Sequence, residues 1–225
     1  DLTNRMSEYI VWQSLDHLRQ GAHYRKQQRD HNWQEVKAQP AANAVTIGIM
    51  GIGALGMDAA AKLQMIGFNV LGWSRSPKNS ADMETFAGTD GLDNMLSRTD
   101  ILVCLLPLTN ETRGIINAQL ISKLNGHGEL GGPFLINAGR GGLQNEADIL
   151  AALDNGSLKA ASLDVFEQEP LASDSPLWSH PRVTVTPHAA AASNPLALIP
   201  HIIQQIKAYE RGEALENLVD RKAGY

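Results

Sequence analysis

The chain has 225 residues, 43% of them hydrophobic and 19% charged, a globular composition long enough to bury one large core. Its net charge of −5 lacks the basic excess of an electrostatic nucleic-acid binder, and no apolar stretch reaches the roughly 20 residues that span a bilayer. No basic-then-apolar leader opens the chain, and the single Cys104 sits in an apolar run as a structural thiol, so a cytoplasmic protein is expected, with no membrane or nucleic-acid partner.

Residues 3–27 carry Met6, Ile10, Val11, Leu15 and Leu18 on one helical face, which predicts a long helix whose end is loosened by Gly21 and Ala22. A polar stretch over 25–39 and Pro40 close this first segment, 1–40. An apolar strand beginning at Val45 then runs into G-x-G-x-x-G at Gly51, Gly53 and Gly56, followed by a helix over 54–66 that Gly67 stops. Each glycine meets a different demand of a bound pyrophosphate: a tight turn off the strand, close backbone approach, and close packing of helix on sheet. The helix N-terminus adds its positive end, so Gly51, Gly53, Ala54, Leu55 and Gly56 are predicted to hold a dinucleotide.

A second strand over 68–73 ends in Trp73-Ser74-Arg75-Ser76-Pro77-Lys78. NAD-preferring sites usually set an Asp or Glu here for the ribose hydroxyls; this turn offers a guanidinium, hydroxyls and an ammonium instead. Arg75 can grip a 2′-phosphate with its planar fork, aided by Ser74, Ser76 and Lys78 beside Trp73, which reads as a preference for NADP over NAD.

Residues 101–106 form an all-apolar strand of the kind buried on both faces of a parallel sheet. A short helix over 117–124, a strand over 133–137 and a helix over 145–153 follow. The latter is capped by Asn145 with Asp148 three residues on, and closed by Asn155-Gly156. Strands over 158–165 and 182–186 and an amphipathic helix over 196–213 complete the chain. This alternation predicts an α/β fold, a doubly wound parallel sheet of Rossmann type ordered 3-2-1-4-5-6. The dinucleotide-binding domain is expected over 41–192, with 193–225 as a C-terminal helical segment.

Charged groups cluster where strands end. Arg140 follows the 133–137 strand, Asp164 and Glu169 follow the next, and His188 lies just past the last. A guanidinium such as that of Arg140 can bind a carboxylate bidentately, and an imidazole such as that of His188 titrates near operating pH. The remaining histidines, among them His17, His23, His31, His180 and His201, have no metal-ligand spacing, and no metal site is predicted.

N-x-x-R-G at 137–141, D-V-F-x-x-E-P at 164–170 and T-P-H at 186–188, in this order after the glycine fingerprint, resemble the D-isomer-specific 2-hydroxyacid dehydrogenases. The segment L-W-x-H-P-R-V at 177–183 and the W-S-R-S turn at 73–76 are most similar to the glyoxylate/hydroxypyruvate reductase branch. The resemblance implies NADPH-dependent reduction of glyoxylate and hydroxypyruvate to glycolate and D-glycerate. It implies Arg140, Glu169 and His188 as catalytic residues: Arg140 as the cation for the keto acid's carboxylate and carbonyl, His188 as the acid for the nascent alkoxide, and Glu169 as the carboxylate that stabilises the protonated ring. Arg140 and His188 are implied at the substrate, and Trp178 either there or packed across a dimer. Leu106, Pro107, Thr112, Ala138 and Gly139 are implied against the cofactor, and Asp164 either near its nicotinamide or in a purely structural role. The family also implies a homodimer through the arm at 1–40. Its C-terminal helix returns towards a substrate domain whose N-terminal part is expected to be absent from this chain, exposing Ile202, Ile203 and Ile206. The alternative is an NAD(P)-sensing, corepressor-like binding protein, since such relatives carry the same Arg, Glu and His.

Overall fold

The structure is a computed structural model that describes residues 2–192, 195–216 and 218. Seven parallel strands form one sheet: β1 (Thr46–Met50), β2 (Asn69–Ser74), β3 (Glu84–Ala87), β4 (Ile101–Cys104), β5 (Phe134–Asn137), β6 (Ala160–Leu163) and β7 (Val183–Val185). Their order is β3-β2-β1-β4-β5-β6-β7. All strands are parallel as expected, but the six read from the sequence stand in the order 2-1-3-4-5-6; the expected 3-2-1-4-5-6 succession appears only once the edge strand β3 is counted, with β7 added beyond it. The six strands read from the sequence omit β3, which is a short, partly exposed edge strand containing Glu84 and Thr85 and carries no apolar run.

Strand residues alternate between two cores, one on each side of the sheet. Ile47, Ile49, Ile101 and Val103 face one cluster, and Met50, Leu102 and Cys104 face the other. Helices α1 (Leu2–Leu18) and α3 (Ala54–Ile66) close the first side, through Met6, Ile10, Ala59, Ala60 and Leu63. Helices α4 (Gly88–Leu96), α5 (Ala118–Ile121) and α6 (Glu146–Asn155) close the second, through Met95, Leu120, Ile149 and Leu153. Sandwiched strands can be apolar throughout, which is why they were legible as unbroken runs. Asn145 caps α6 by accepting the Asp148 N–H, and Gly156 ends it at φ 81°. Burial pushes the Cys104 thiol up to about 12, so it acts as a small apolar side chain.

The long first helix is in fact two. After α1 the chain breaks at Gln20, with φ 55°, and α2 (Gly21–Arg29) begins as a separate helix. Met6, Ile10 and Leu18 are buried as expected, but so are Ser7, Gln13, Ser14 and His17. Ser7 and Gln13 find partners on other elements: Ser7 donates to Asp58 on α3 at 2.6 Å, and Ser162 on β6 donates to the Gln13 side-chain carbonyl oxygen at 2.7 Å, whereas Gln13 Nε2 and Ser14 Oγ have no hydrogen-bond partner among the described residues. Helix α7 (Pro195–Glu210) leaves Ile202, Ile203 and Ile206 at 51%, 45% and 52% exposure, as expected. The tail at 219–225 lies outside the described residues. Among the described residues, no helix is long and apolar enough to cross a membrane, and no group of three or more His, Cys, Asp or Glu could hold a metal ion.

His17 stacks on Phe134, with ring centroids 4.9 Å apart, and its Nε2 lies 3.0 Å from the Ser162 hydroxyl. Burial lowers its pKa from 6.5 to about 4, so the ring is held neutral. The unfolded chain then binds the extra proton between these values. Stability should be complete above pH 6.5 and fall by about 3 kcal/mol as pH drops through this window. Urea denaturation across pH 4–7 should show that slope, and His17→Gln should flatten it.

Candidate active site

Strand β1 is flanked by β2 and β4, so the chain leaves the sheet in opposite directions on its two sides and opens a crevice at the strand ends. Gly51 turns off β1 at φ 105°, a conformation that favours glycine. A methyl group on Gly56 would sit 2.1 Å from the Gly51 carbonyl oxygen, so only glycine lets α3 pack this tightly. A methyl group on Gly53 would meet nothing within 4 Å. It faces open space at the N-terminus of α3, where an anionic group could approach the backbone. The three glycines thus divide the tasks expected of them.

The crevice is a cavity of about 490 Å³. Gly51, Gly53, Ala54, Leu55 and Gly56 form its floor, and Trp73, Ser74, Arg75, Ser76 and Lys78 form one end. Leu106, Pro107 and Thr112 after β4, and Ala138, Gly139 and Arg140 after β5, form the opposite wall. The basic turn is itself built: Trp73 Nε1 donates to the Gly88 carbonyl at 2.9 Å, Ser74 donates to the Ser76 carbonyl at 2.8 Å, and Lys78 reaches the Ile52 carbonyl at 3.1 Å. Thr112 ties its loop by donating to the Pro107 carbonyl at 2.7 Å. Thr109 and Glu111 also line the cavity, and the sequence reading missed both. Glu111 accepts from Thr109 and feels the charge of Arg75, which together hold its carboxyl below the usual range. No local pattern marks such a loop; only its fold beside Arg75 does.

Asn137, at the end of β5, explains why an asparagine precedes the arginine. Buried completely, it accepts the Gly139 N–H at 3.1 Å and donates to Gln144 at 2.7 Å and to the Arg140 carbonyl at 3.3 Å. This fixes the backbone that carries Arg140, whose exposed guanidinium donates to the Gly139 carbonyl at 2.7 Å.

Glu169 and His188 meet. The Nδ1 of His188 lies 2.7 Å from Glu169 Oε2, while Oε1 accepts the Phe166 N–H at 3.0 Å. Burial pushes the Glu169 carboxyl up, but the hydrogen bonds from His188 and Phe166, with the charges of His188 and Arg140, outweigh it and hold it below the usual range. An ionised carboxylate only accepts, so Nδ1 carries a proton in this pair. The arginine charge felt at Glu169 brings all three predicted catalytic residues into one neighbourhood. Asp164 lies outside the cavity lining, 1% exposed, with its oxygens taken by Thr186, Ala189 and Ala190. Trp178 also lies outside that lining, half exposed, with its indole donating to the Ala172 carbonyl at 2.9 Å.

A glycine turn into a helix, a phosphate-sized opening and a basic turn on the neighbouring strand define a dinucleotide-binding α/β protein. The sequence model of the family described as D-isomer specific 2-hydroxyacid dehydrogenase, NAD binding domain, matches residues 11–190. The chain belongs to this family. It is similar to a solved NADPH-dependent glyoxylate/hydroxypyruvate reductase from Sinorhizobium meliloti, in complex with NADP and sulfate. Identity is 54% and TM-score 0.97, over 100% of this chain and 70% of that one. A probable 2-hydroxyacid dehydrogenase from Rhizobium etli CFN 42, in complex with NADP, HEPES and L(+)-tartaric acid, matches at 52% identity and TM-score 0.95, with the same coverage. A third, from Xanthobacter autotrophicus Py2 in complex with NADPH and MES, matches at 38% identity and TM-score 0.94, over 100% of this chain and 90% of that one.

Gly56→Ala should destabilise the fold by about 1–3 kcal/mol or more, because the new methyl meets backbone that cannot yield. Gly53→Ala should change stability by less than about 1 kcal/mol. Urea unfolding separates the two, and equal losses would contradict this division of labour.

Proposed function

We propose that the protein reduces small 2-keto acids, glyoxylate and hydroxypyruvate, to glycolate and D-glycerate with NADPH. The observation that carries this reading is the ionised Glu169 paired at 2.7 Å with His188, within reach of the Arg140 charge. When bound, the reduced nicotinamide supplies hydride. The residues fit such a cofactor: Gly53 leaves the backbone open to a pyrophosphate, and Arg75 with Ser74, Ser76 and Lys78 offers a 2′-phosphate a cationic, hydroxyl-rich seat. The relatives solved with NADP or NADPH, at 38–54% identity, support the same choice.

In this reading Arg140 binds the keto acid's carboxylate and polarises its carbonyl, and His188 donates the proton to the nascent alkoxide from Nε2. Glu169 holds Nδ1–H and so fixes both the ring's orientation and which nitrogen faces the substrate. Trp178 borders the substrate. Asp164 serves the nicotinamide end of the site through the turn that it anchors. A homodimer through the arm at 1–40, a binding domain over 41–192 and a cytoplasmic setting belong to the same proposal.

Arg75→Ala should weaken NADPH binding roughly 10- to 100-fold, the loss expected for a charge-assisted bidentate contact, and leave NADH nearly unchanged. Fluorescence titration with both nucleotides decides it; equal losses would remove the NADP preference. His188→Gln should lower kcat for glyoxylate by about 10²–10⁴ while sparing NADPH binding, as loss of a general acid requires. Absence of any turnover of 2-keto acids by the unsubstituted protein, with nucleotide binding intact, would overturn the reductase reading.

A further inference from the structure

His188 sits at φ 53°, in the left-handed region that a residue with a side chain occupies only when its surroundings impose it. What imposes it is Asp164, the residue that follows β6. Its carbonyl accepts the His188 N–H at 2.7 Å, its Oδ1 accepts the Ala189 N–H at 2.9 Å, and its Oδ2 accepts the Ala190 N–H at 3.0 Å. Three consecutive backbone donors therefore converge on one buried residue.

The carboxylate is itself held. Thr186 Oγ1 lies 2.6 Å from Asp164 Oδ1, and Tyr9 Oη lies 2.9 Å from Thr186 Oγ1. A carboxylate only accepts, so the single hydroxyl hydrogen of Thr186 points to Asp164. Its oxygen must then accept from Tyr9, and the chain of donors runs one way: Tyr9 to Thr186 to Asp164. Burial pushes the Tyr9 phenol up, so it stays a neutral donor at any working pH. Tyr9 is 6% exposed on α1, 177 positions from Thr186.

We propose that Tyr9 is a positioning residue for the proton donor His188, acting through Thr186 and Asp164 to hold the 186–190 turn. The proposal rests on the reductase reading for the role of His188, but not for the existence of the strut. It gives the first helix a task beyond packing: it braces the turn that carries His188.

Tyr9→Phe removes one oxygen and keeps the ring, Thr186→Val breaks both links, and Thr186→Ser keeps the hydroxyl. Amide hydrogen exchange on the chain is the first measurement. Exchange at 188–190 should quicken about ten-fold in the Phe and Val variants, the effect of one ordinary hydrogen bond, with β1 and β4 amides unchanged and the Ser variant like the parent. Steady-state kinetics is the second: kcat should fall about ten-fold in the same two variants, with KM for NADPH and for glyoxylate within about two-fold of the parent, and the Ser variant should be rescued. Unchanged exchange at 188–190 would overturn the proposal. So would a uniform rise across β1 and β4, or faster exchange with kcat intact. A parent protein that turns over no 2-keto acid would defeat the reductase reading alone, because the exchange experiment needs no substrate and still decides whether the strut exists.

Discussion

The fold's chemistry depends on a constraint of a few ångströms at the end of β1. The chain must leave the strand at Gly51, reverse, and begin α3 at Ala54 while that helix presses against the turn it has just left. The Gly51 carbonyl occupies the space that a side chain at 56 would need. Because the helix starts so close to the sheet, its N-terminal amides open onto the crevice between β1 and β4. Loosening this contact would move the helix, and with it the floor of the cavity, away from the basic turn after β2. Most of the remaining lining comes from the strand ends and loops at the same edge, since all seven strands are parallel, with Met6 added from α1.

Loops that leave a sheet lose the backbone partners that strands supply, and here polar side chains replace them. Asn137 gathers the backbone around Arg140, Asp164 gathers the backbone around His188, and Thr112 gathers its own loop. None of these needs to touch a substrate to matter. A buried group with all its hydrogen bonds made resists displacement, because any movement leaves a donor or acceptor unpaired away from water. The geometry around Arg140 and His188 is held by such buried groups. The left-handed backbone at His188, which costs roughly 1–3 kcal/mol, persists because three bonds to Asp164 offset it.

Much of this was legible in the sequence because the physical signal was local. Strands buried on both faces appear as apolar runs, the helix over 54–66 is bracketed by its glycines, and α6 displays its caps. The fingerprint and the basic turn do border one cavity, and of the residues expected against a nucleotide Asp164 alone lies outside its lining. What was not legible is non-local. The edge strand β3 gains its place by pairing with β2 rather than by apolar burial. The buried polar face of α1 contradicts simple amphipathic periodicity, because Ser7 and Gln13 are matched by Asp58 and Ser162 far along the chain. The break puts the left-handed backbone on Gln20, one position before the Gly21 that marked the weak point in the sequence. Tyr9 reads as one more apolar position until Thr186 is brought to it.

The charge distribution resolves an apparent conflict between composition and proposed substrate. The chain carries a net −5, yet the proposed function asks it to gather a polyanionic cofactor and a carboxylate. Screening limits the reach of the overall charge to about 8–10 Å at ordinary ionic strength, so the local lining decides what enters. Arg75, Lys78 and Arg140 lie around one cavity with Glu111 as the opposing carboxylate, which leaves it net positive. Glu111, on the loop after β4, lies within the field of Arg75 and tempers the attraction at that end only. Glu169 does not line this cavity; its carboxylate is hydrogen-bonded to His188. The two carboxylates thus differ: Glu111 offsets part of the cationic lining, and Glu169 is taken up by its pairing with His188.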